Sequence, residues 1–204
     1  MSLSFSGKRS LNELPGKTCS SCGRSAGIHL RTAREEDACQ IAFVWQKSIR
    51  EICGPAYPEC PALIEQWASS KTVECVRESI ENEEWFMVAE TGEGEICGFF
   101  CCTFEIGSFA LFVSPDCRRR GIGRRLFSCY ERMARICGMS RLSFNSSRNA
   151  VSFYLNCGCT LNKGPLFEKY KSSFQENNGM CPNGEKTLMK LDGELESFPM
   201  LKML

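Results

Sequence analysis

The sequence predicts an α+β (α/β) protein in which strands and helices are combined in one domain. Three observations carry this prediction. The apolar run 109–113 ends at a Ser-Pro step, as a strand does where it enters a loop. Apolar residues then recur three or four positions apart over 122–136, which is typical of one face of a helix. Before them, runs at 85–90 and 96–103 enclose a glycine-rich turn and predict a β-hairpin.

The chain before this hairpin predicts one strand and three helices. Alternation at 28–31 indicates a short strand, and Thr32-x-x-Glu35 is a capping box for the helix that follows. That helix carries Ile41, Val44, Trp45, Ser48, Ile49 and Ile52 on one side and ends at Cys53-Gly54-Pro55. Pro61 stands at a favourable first helical position, and a further helical stretch covers 73–80.

The turn between the central strand and its helix has the composition of an anion site. Gly121 and Gly123 let the backbone approach a ligand closely, and the helix beyond them presents unpaired N–H groups. The arginines of this turn add guanidinium groups, whose geometry matches phosphate oxygens. The segment therefore predicts a polyphosphate ligand. The arginines that surround the glycines are Arg118, Arg119, Arg120, Arg124 and Arg125.

Beyond the helix, 141–145 predicts a strand that runs parallel to the central one, as a short right-handed crossover requires. A short helix ending at Gly158 follows it. Segments 160–166 and 186–191 are candidate final strands, separated by a long polar stretch. We accordingly divide the chain into a flexible extension at 1–26, a folded domain at 27–192 and a tail at 193–204.

Length and charge limit the functional classes. The chain has 204 residues and a formal net charge of +1, which gives no general attraction to nucleic acid or to anionic membranes. No apolar run approaches the ~20 residues that span a bilayer, and the first residues lack a signal-peptide apolar region. We expect a cytoplasmic protein that is a monomer or a homodimer.

The fifteen cysteines are an odd number, so they cannot all pair with one another. Many stand in apolar runs, where a reduced thiol packs as a small hydrophobic group. Cys19-x-x-Cys22, with His29 and Cys39 beyond it, is the one spacing that resembles a zinc site, but no second close pair completes it. We expect no metal and nominate no cysteine nucleophile, because no thiol has an evident activating base.

The pattern Val113-x-Pro115-x-x-Arg118-Arg119-x-Gly121-Ile122-Gly123 resembles the signature of the GNAT superfamily, the N-acetyltransferases that use acetyl-coenzyme A. It follows neither a Walker pattern nor a Rossmann fingerprint. The segment 149–159 resembles a second family motif, A-x-x-F-Y-x-x-x-G-F, with Cys159 in place of the usual aromatic residue. The resemblance implies a mixed, mostly antiparallel central sheet flanked by helices.

The resemblance also implies roles for individual residues. Tyr154 would be the general acid near the thioester sulfur, and Glu105 would be the general base. The strand before the turn would pair with the pantetheine arm, and the turn would hold the diphosphate. The residues expected to bind acetyl-coenzyme A are Leu111, Phe112, Val113, Arg118, Arg119, Arg120, Gly121, Ile122, Gly123, Arg124, Asn145 and Ser147, and those expected at the acceptor pocket are Trp45, Tyr57 and Trp67.

Three functions are compatible with these patterns. The first is an N-acetyltransferase that acts on a primary amine of a small molecule or peptide by direct attack in a ternary complex. The second is a catalytically weak acyl-coenzyme A binding module. The third is a nucleic-acid-binding protein, because nine arginines and a single acid, Glu131, lie between Cys117 and Arg148. We favour the first and expect no nucleic acid or membrane partner.

Overall fold

A computed structural model describes residues 27–81, 85–103, 108–161, 195 and 197–204. Several sequence predictions fall outside these residues: the extension at 1–26 with Cys19 and Cys22, the proposed base Glu105, and the strand at 186–191. Only the first two residues of the strand predicted at 160–166 are described.

The described chain contains helices and strands in the predicted order, which confirms the α+β class. The helices are α1 (Ala38–Ser48), α2 (Pro61–Ser69), α3 (Val73–Glu81), α4 (Ile122–Ile136) and α5 (Val151–Asn156), and a π-helical turn, Ile49–Cys53, follows α1. The strands are β1 (Ile28–Thr32), β2 (Trp85–Thr91), β3 (Ile96–Thr103), β4 (Ser108–Val113), β5 (Arg141–Ser147), β6 (Thr160–Leu161) and β7 (Ser197–Met203).

The strands form two antiparallel sheets. The first has the order β1-β2-β3-β4 and the second the order β5-β7-β6. Within the described residues no strand pairing joins β4 to β5, so the expected central sheet is split between these two strands. The mostly antiparallel pairing and the flanking helices agree with the fold implied by the sequence.

Side chains hold the two sheets together where the backbones do not. The largest core cluster contains residues of β3, α4, β5, α5 and β7, and it lies on one face of the first sheet. Phe109 of β4 packs against Phe144 of β5 with ring centroids 5.1 Å apart. The opposite face of the first sheet is covered by α1 and α3, around Phe99 and Val88. The first sheet is therefore sandwiched between α4 and the N-terminal helices.

The C-terminal residues are not a tail. Ser197–Met203 is the middle strand of the second sheet, with Arg141 opposite Met203 and Ser147 opposite Ser197. Phe198 and Met200 are buried, and Met200 has no exposed surface. The expectation for 193–204 is wrong because Pro199 and Lys202 interrupt the alternating pattern of a strand in a short apolar run, and because the β5 partners lie 50 to 62 residues away in sequence.

The start of α1 also differs from the prediction. Thr32 pairs with Met87 in the first sheet, so it does not cap the helix. Instead, the Asp37 carboxylate accepts hydrogen bonds from the Arg31 guanidinium at 2.6 and 2.9 Å and from the Arg34 backbone N–H at 2.7 Å. Burial alone would raise the pKa of Asp37, but the hydrogen bonds from Arg31 and Arg34 outweigh it and lower that pKa.

Replacement of a buried C-terminal side chain tests the position of β7. Met200→Ala should lower the free energy of unfolding by about 2–5 kcal/mol, because it leaves a cavity in the core. Met203→Ala is the matched control: Met203 lies on the same strand but is 66% exposed. It should change stability by no more than about 0.5 kcal/mol. Urea unfolding of both variants is the measurement, and equal small effects would contradict a buried β7.

The Asp37 network predicts how stability depends on pH. Its lowered pKa means that the ionised carboxylate stabilises the fold above the unfolded pKa of about 3.9, and that this contribution disappears as the pH falls through the lower folded value. Asp37→Asn should therefore cost about 1.5–3 kcal/mol at pH 7. The difference from wild type should shrink below about pH 4.

The control for this measurement is Glu36→Gln. Glu36 pairs with Arg34 at 3.0 Å, but its side chain is 71% exposed, so its loss should change stability by less than about 1 kcal/mol. If Asp37→Asn and Glu36→Gln gave the same pH dependence of urea unfolding, the buried network would not be the source of acid sensitivity.

Candidate active site

The split between the sheets leaves two strand edges facing one another. β4 pairs with β3 on one side, and β5 pairs with β7 on the other. In an antiparallel ladder, alternate residues direct their N–H and C=O groups to opposite edges. The facing edges of β4 and β5 therefore carry backbone donors and acceptors without strand partners among the described residues.

The ladder identifies which amides of β4 face the open edge. Ser114 N–H donates to the Cys97 carbonyl at 2.8 Å. A Cβ built on Gly98 would lie 2.7 Å from the Phe112 carbonyl oxygen, so that carbonyl points to β3. By alternation, the N–H groups of Leu111 and Val113 point to the open edge. The register therefore places the N–H groups of Leu111 and Val113 at the open edge, and the N–H group of Phe112 at the edge that pairs with β3.

The same alternation applies to β5. Leu204 N–H donates to the Ser140 carbonyl at 3.0 Å, which continues the β5–β7 register. Backbone groups at even positions consequently face β7, and those of Ser143, Asn145 and Ser147 face β4. The Asn145 side chain is exposed. The Ser147 side chain contacts the Cys53 thiol, whose pKa burial raises to about 12. Cys53 is therefore a poor nucleophile.

The predicted turn follows directly after β4. Arg119 and Gly121 have positive φ values of 61° and 76°, and α4 begins at Ile122. A Cβ on Gly121 would meet nothing within 4 Å, so the left-handed backbone is what requires glycine there. The first helical hydrogen bond runs from Arg125 N–H to the Gly121 carbonyl at 3.1 Å. The preceding amides are thus available to an anion.

Gly123 has a different reason to be glycine. A Cβ at this position would lie 3.3 Å from the Phe153 ring and 3.7 Å from a Val113 methyl group. The start of α4 therefore packs closely against both the end of β4 and the helix that follows β5. This contact places the arginine-glycine turn, residues 118–123, at the end of the split between the sheets.

The arginines of the turn divide into two groups. Arg118, Arg119 and Arg120 are exposed and make no hydrogen bond or ion pair with any residue in the described ranges. Arg124 donates to the Asn156 carbonyl at 2.8 Å, and Arg125 donates to the Ile28 carbonyl at 3.0 Å. The first group is free to bind phosphate, whereas Arg124, predicted to bind the cofactor, also ties α4 to α5.

The Tyr154 ring lies between side chains of β4 and β5, the two strands that do not pair with each other. Its ring centroid is 4.8 Å from that of Phe144 on β5 and 6.4 Å from that of Phe109 on β4. The side chain is 5% exposed, and its hydroxyl makes no hydrogen bond to a described residue. Burial raises the pKa of Tyr154 above its ordinary value, so the phenol keeps its proton at neutral pH.

The three predicted acceptor-pocket aromatics are mainly packing residues. Tyr57 is 2% exposed, and its hydroxyl accepts the Arg148 N–H at 2.7 Å, which fixes the end of β5. Trp45 and Trp67 both pack against Phe112, with centroids 5.6 and 6.1 Å away. The indole N–H of Trp45 is buried without a hydrogen-bond partner among the described residues.

Two residues at the end of α1 were not predicted as part of the site. The Ser48 hydroxyl donates to the Val113 carbonyl at 3.1 Å, and the Lys47 ammonium pairs with Asp116 at 2.5 Å. One feature of the sequence could have identified Ser48: it carries a hydroxyl group on the otherwise apolar face of α1.

No described helix is both long and apolar enough to cross a membrane.

Solved structures with the same fold share low sequence identity with this chain. A GCN5-related N-acetyltransferase from Rhodopseudomonas palustris has 22% identity and a TM-score of 0.64, over 88% of this chain and 97% of that one. The PaiA N-acetyltransferase from Thermoplasma acidophilum, solved in complex with coenzyme A, has 19% identity and a TM-score of 0.62, over 87% and 99%.

A third structure is a phosphinothricin acetyltransferase from Sinorhizobium meliloti in complex with acetyl-coenzyme A. It has 18% identity and a TM-score of 0.53, over 87% of this chain and 89% of that one. No curated protein matches the sequence significantly. The family model of the acetyltransferase (GNAT) domain matches residues 53–176, which is more than half of the chain. This protein therefore belongs to the GNAT family of acetyltransferases.

Proposed function

We propose that this protein transfers the acetyl group of acetyl-coenzyme A to a primary amine of a small molecule or peptide, by direct attack in a ternary complex. The observation that carries the proposal is the open β4 edge leading into a phosphate turn with three free arginines. A ligand that fits both parts must have phosphates at one end and an extended chain of amides at the other. Coenzyme A has this chemistry.

The donor would lie with its diphosphate on the amides that begin α4 and beside Arg118, Arg119 and Arg120. Its pantetheine amides would pair with backbone groups of Leu111 and Val113 on β4 and of Asn145 and Ser147 on β5. An N–H group of the open edge that does not pair with a pantetheine amide would stabilise the thioester oxygen as it becomes negative. The match of two solved complexes of the same fold, one with coenzyme A and one with acetyl-coenzyme A, supports this assignment.

Tyr154 would donate its proton to the departing thiolate. The phenol carries its proton at neutral pH, as a general acid must before the reaction. Burial raises its pKa and so weakens it as an acid, which favours proton transfer only to a thiolate that is itself desolvated beside the hydroxyl. The attacking amine needs a base, and Glu105 remains our proposal for that role. The acceptor would enter beside the Trp45, Trp67 and Phe112 cluster on the helical side of β4.

A panel of primary amines with acetyl-coenzyme A tests the proposal directly. Products should be detected by mass, because the protein's own thiols would react with a thiol reagent. We expect at least one acetylated amine whose formation requires the protein and saturates with acetyl-coenzyme A. Absence of binding to acetyl-coenzyme A at millimolar concentration in calorimetry would refute the proposed function.

One observation favours the alternative function, a catalytically weak acyl-coenzyme A binding module. The Tyr154 hydroxyl lies in an aromatic cluster and has no hydrogen-bond partner among the described residues. This alternative predicts saturable binding of acetyl-coenzyme A and no acetylated product from any amine in the panel. The same experiment therefore separates the two functions.

Arg120→Ala tests the phosphate turn. We expect the Kd for coenzyme A to rise about tenfold, because one charge-assisted contact to phosphate is lost. Binding of pantetheine, which has no phosphate, should not change. Arg135→Ala is the control, since Arg135 is an exposed arginine in the last turn of the same helix. Equal weakening of both ligands, or an equal effect of Arg135→Ala, would contradict a phosphate contact at Arg120.

Tyr154→Phe tests the general acid. We expect kcat to fall about 10²- to 10⁴-fold while the Kd for acetyl-coenzyme A changes little, because the hydroxyl acts on the leaving thiolate. Tyr130→Phe is the matched control: Tyr130 is a buried tyrosine of the same core, 3% exposed and stacked on Phe109. Unchanged turnover in Tyr154→Phe would remove Tyr154 from the reaction.

A further inference from the structure

We propose that the Asn145 side chain binds the attacking amine of the acceptor. Its carboxamide oxygen accepts an N–H of the amine and holds the nitrogen beside the thioester, on the face of β5 opposite to α5. This role rests on the proposed function above, because it concerns the same reaction. The sequence assigned Asn145 to the donor, whereas the structure separates its backbone, at the open edge, from its side chain.

The split between β4 and β5 has a closed end and an open end. At the closed end the Phe109 and Phe144 rings meet, with centroids 5.1 Å apart. At the open end β4 finishes at Val113, just before the arginine-glycine turn. A donor with its diphosphate on that turn extends its pantetheine arm along the split towards the closed end. The thioester at the tip of the arm therefore lies near the closed end.

The two strands run in the same direction along the split. The end of β4 meets the end of α1, where the Ser48 hydroxyl donates to the Val113 carbonyl at 3.1 Å. The end of β5 meets the π-helical turn that continues α1, where Ser147 contacts the Cys53 thiol. Both strands thus finish beside the same end of α1. Counted from the closed end, Asn145 is the first residue of β5 inside the split.

The two faces of the split differ in what covers the closed end. Towards α4 and α5, this end is filled by the packed rings of Phe109, Phe144 and Tyr154. Burial alternates along β5, so its odd-numbered side chains point to the other face. Ala110 and Phe112 of β4 also point there, towards the N-terminal helices. The amine therefore approaches the thioester from this second face.

Among the described side chains on that face, Asn145 offers the hydrogen-bonding group nearest the closed end of the split. Ala110 and Phe112, on the β4 side, have no polar side-chain atom. Ser147 lies farther towards the turn and is engaged with Cys53. The Asn145 side chain is exposed and makes no hydrogen bond or ion pair with any residue in the described ranges. Its carboxamide is thus available to a substrate.

A carboxamide suits this place because it binds an amine without competing for its proton. The oxygen accepts a hydrogen bond, and the group does not ionise at neutral pH. The amine nitrogen keeps its lone pair for the thioester carbon, where the C–N bond forms as the C–S bond breaks. The surplus proton of the amine goes to the proposed base, and the thiolate takes its proton from Tyr154. Asn145 orients the nitrogen during these steps.

Steady-state turnover with an amine that the panel identifies tests this role. Asn145→Ala and Asn145→Leu, the second of similar size, should raise the KM of the amine about tenfold, as expected for one lost hydrogen bond. The Kd for coenzyme A should stay within about twofold, because the backbone groups of residue 145 still face β4. Asn145→Asp should keep the KM of the amine within about threefold of wild type, because a carboxylate oxygen also accepts the N–H.

Ser143→Ala is the matched control, because Ser143 is exposed on the same face of β5 and lies outside the split. It should leave the KM of the amine and the Kd for coenzyme A unchanged. If Asn145→Ala raised only the Kd for coenzyme A, or if its effect on the KM of the amine were absent or matched by Ser143→Ala, the inference would be overturned while acetyl transfer itself stood. If no amine in the panel is acetylated, the proposed function fails and the role of Asn145 fails with it.

Discussion

The unpaired edges of β4 and β5 are the constraint on which the site depends. Buried backbone donors and acceptors need partners, and here the neighbouring strand does not supply them. The sheets nevertheless stay together, because Phe109, Phe144 and Tyr154 pack against one another across the split. Side chains therefore close the core where the backbone ladder is interrupted, and a ligand with amide groups can complete the ladder.

The C-terminal strand makes this interruption stable. β7 satisfies one edge of β5, so the missing contact with β4 does not leave β5 isolated. Pro199 is tolerated in this middle strand because it stands opposite Asn145 in a pair whose backbone groups point away from each other. β6 pairs only with Met200 and Leu201 of β7, so within the described residues no ladder bond is lost at Pro199.

Local signals predicted the turn and the helix that follow β4 well and the long-range contacts poorly. Gly121, the arginines and the helix period of α4 all lie within the nineteen consecutive residues 118–136, so the turn could be found from sequence. The strand at Ser197–Met203 depends on β5 partners that lie 50 to 62 residues away in sequence. Tyr57 and Trp67 showed only that an aromatic residue was present, and the sequence could not separate packing from ligand contact. The Gly123 contact with Phe153 is tertiary and invisible to any local pattern.

The division of the arginines explains how the turn can be ready before a ligand arrives. Arg124 and Arg125 hold the start of α4 to the end of α5 and to the beginning of β1. Their bonds keep the helix amides and the left-handed residues Arg119 and Gly121 in place without phosphate. If phosphate binds here as proposed, binding needs little ordering of the backbone, so most of the attraction between phosphate and Arg118, Arg119 and Arg120 would be available as affinity. A substitution at Arg124 would mix loss of this support with loss of charge, whereas one at Arg120 removes charge alone.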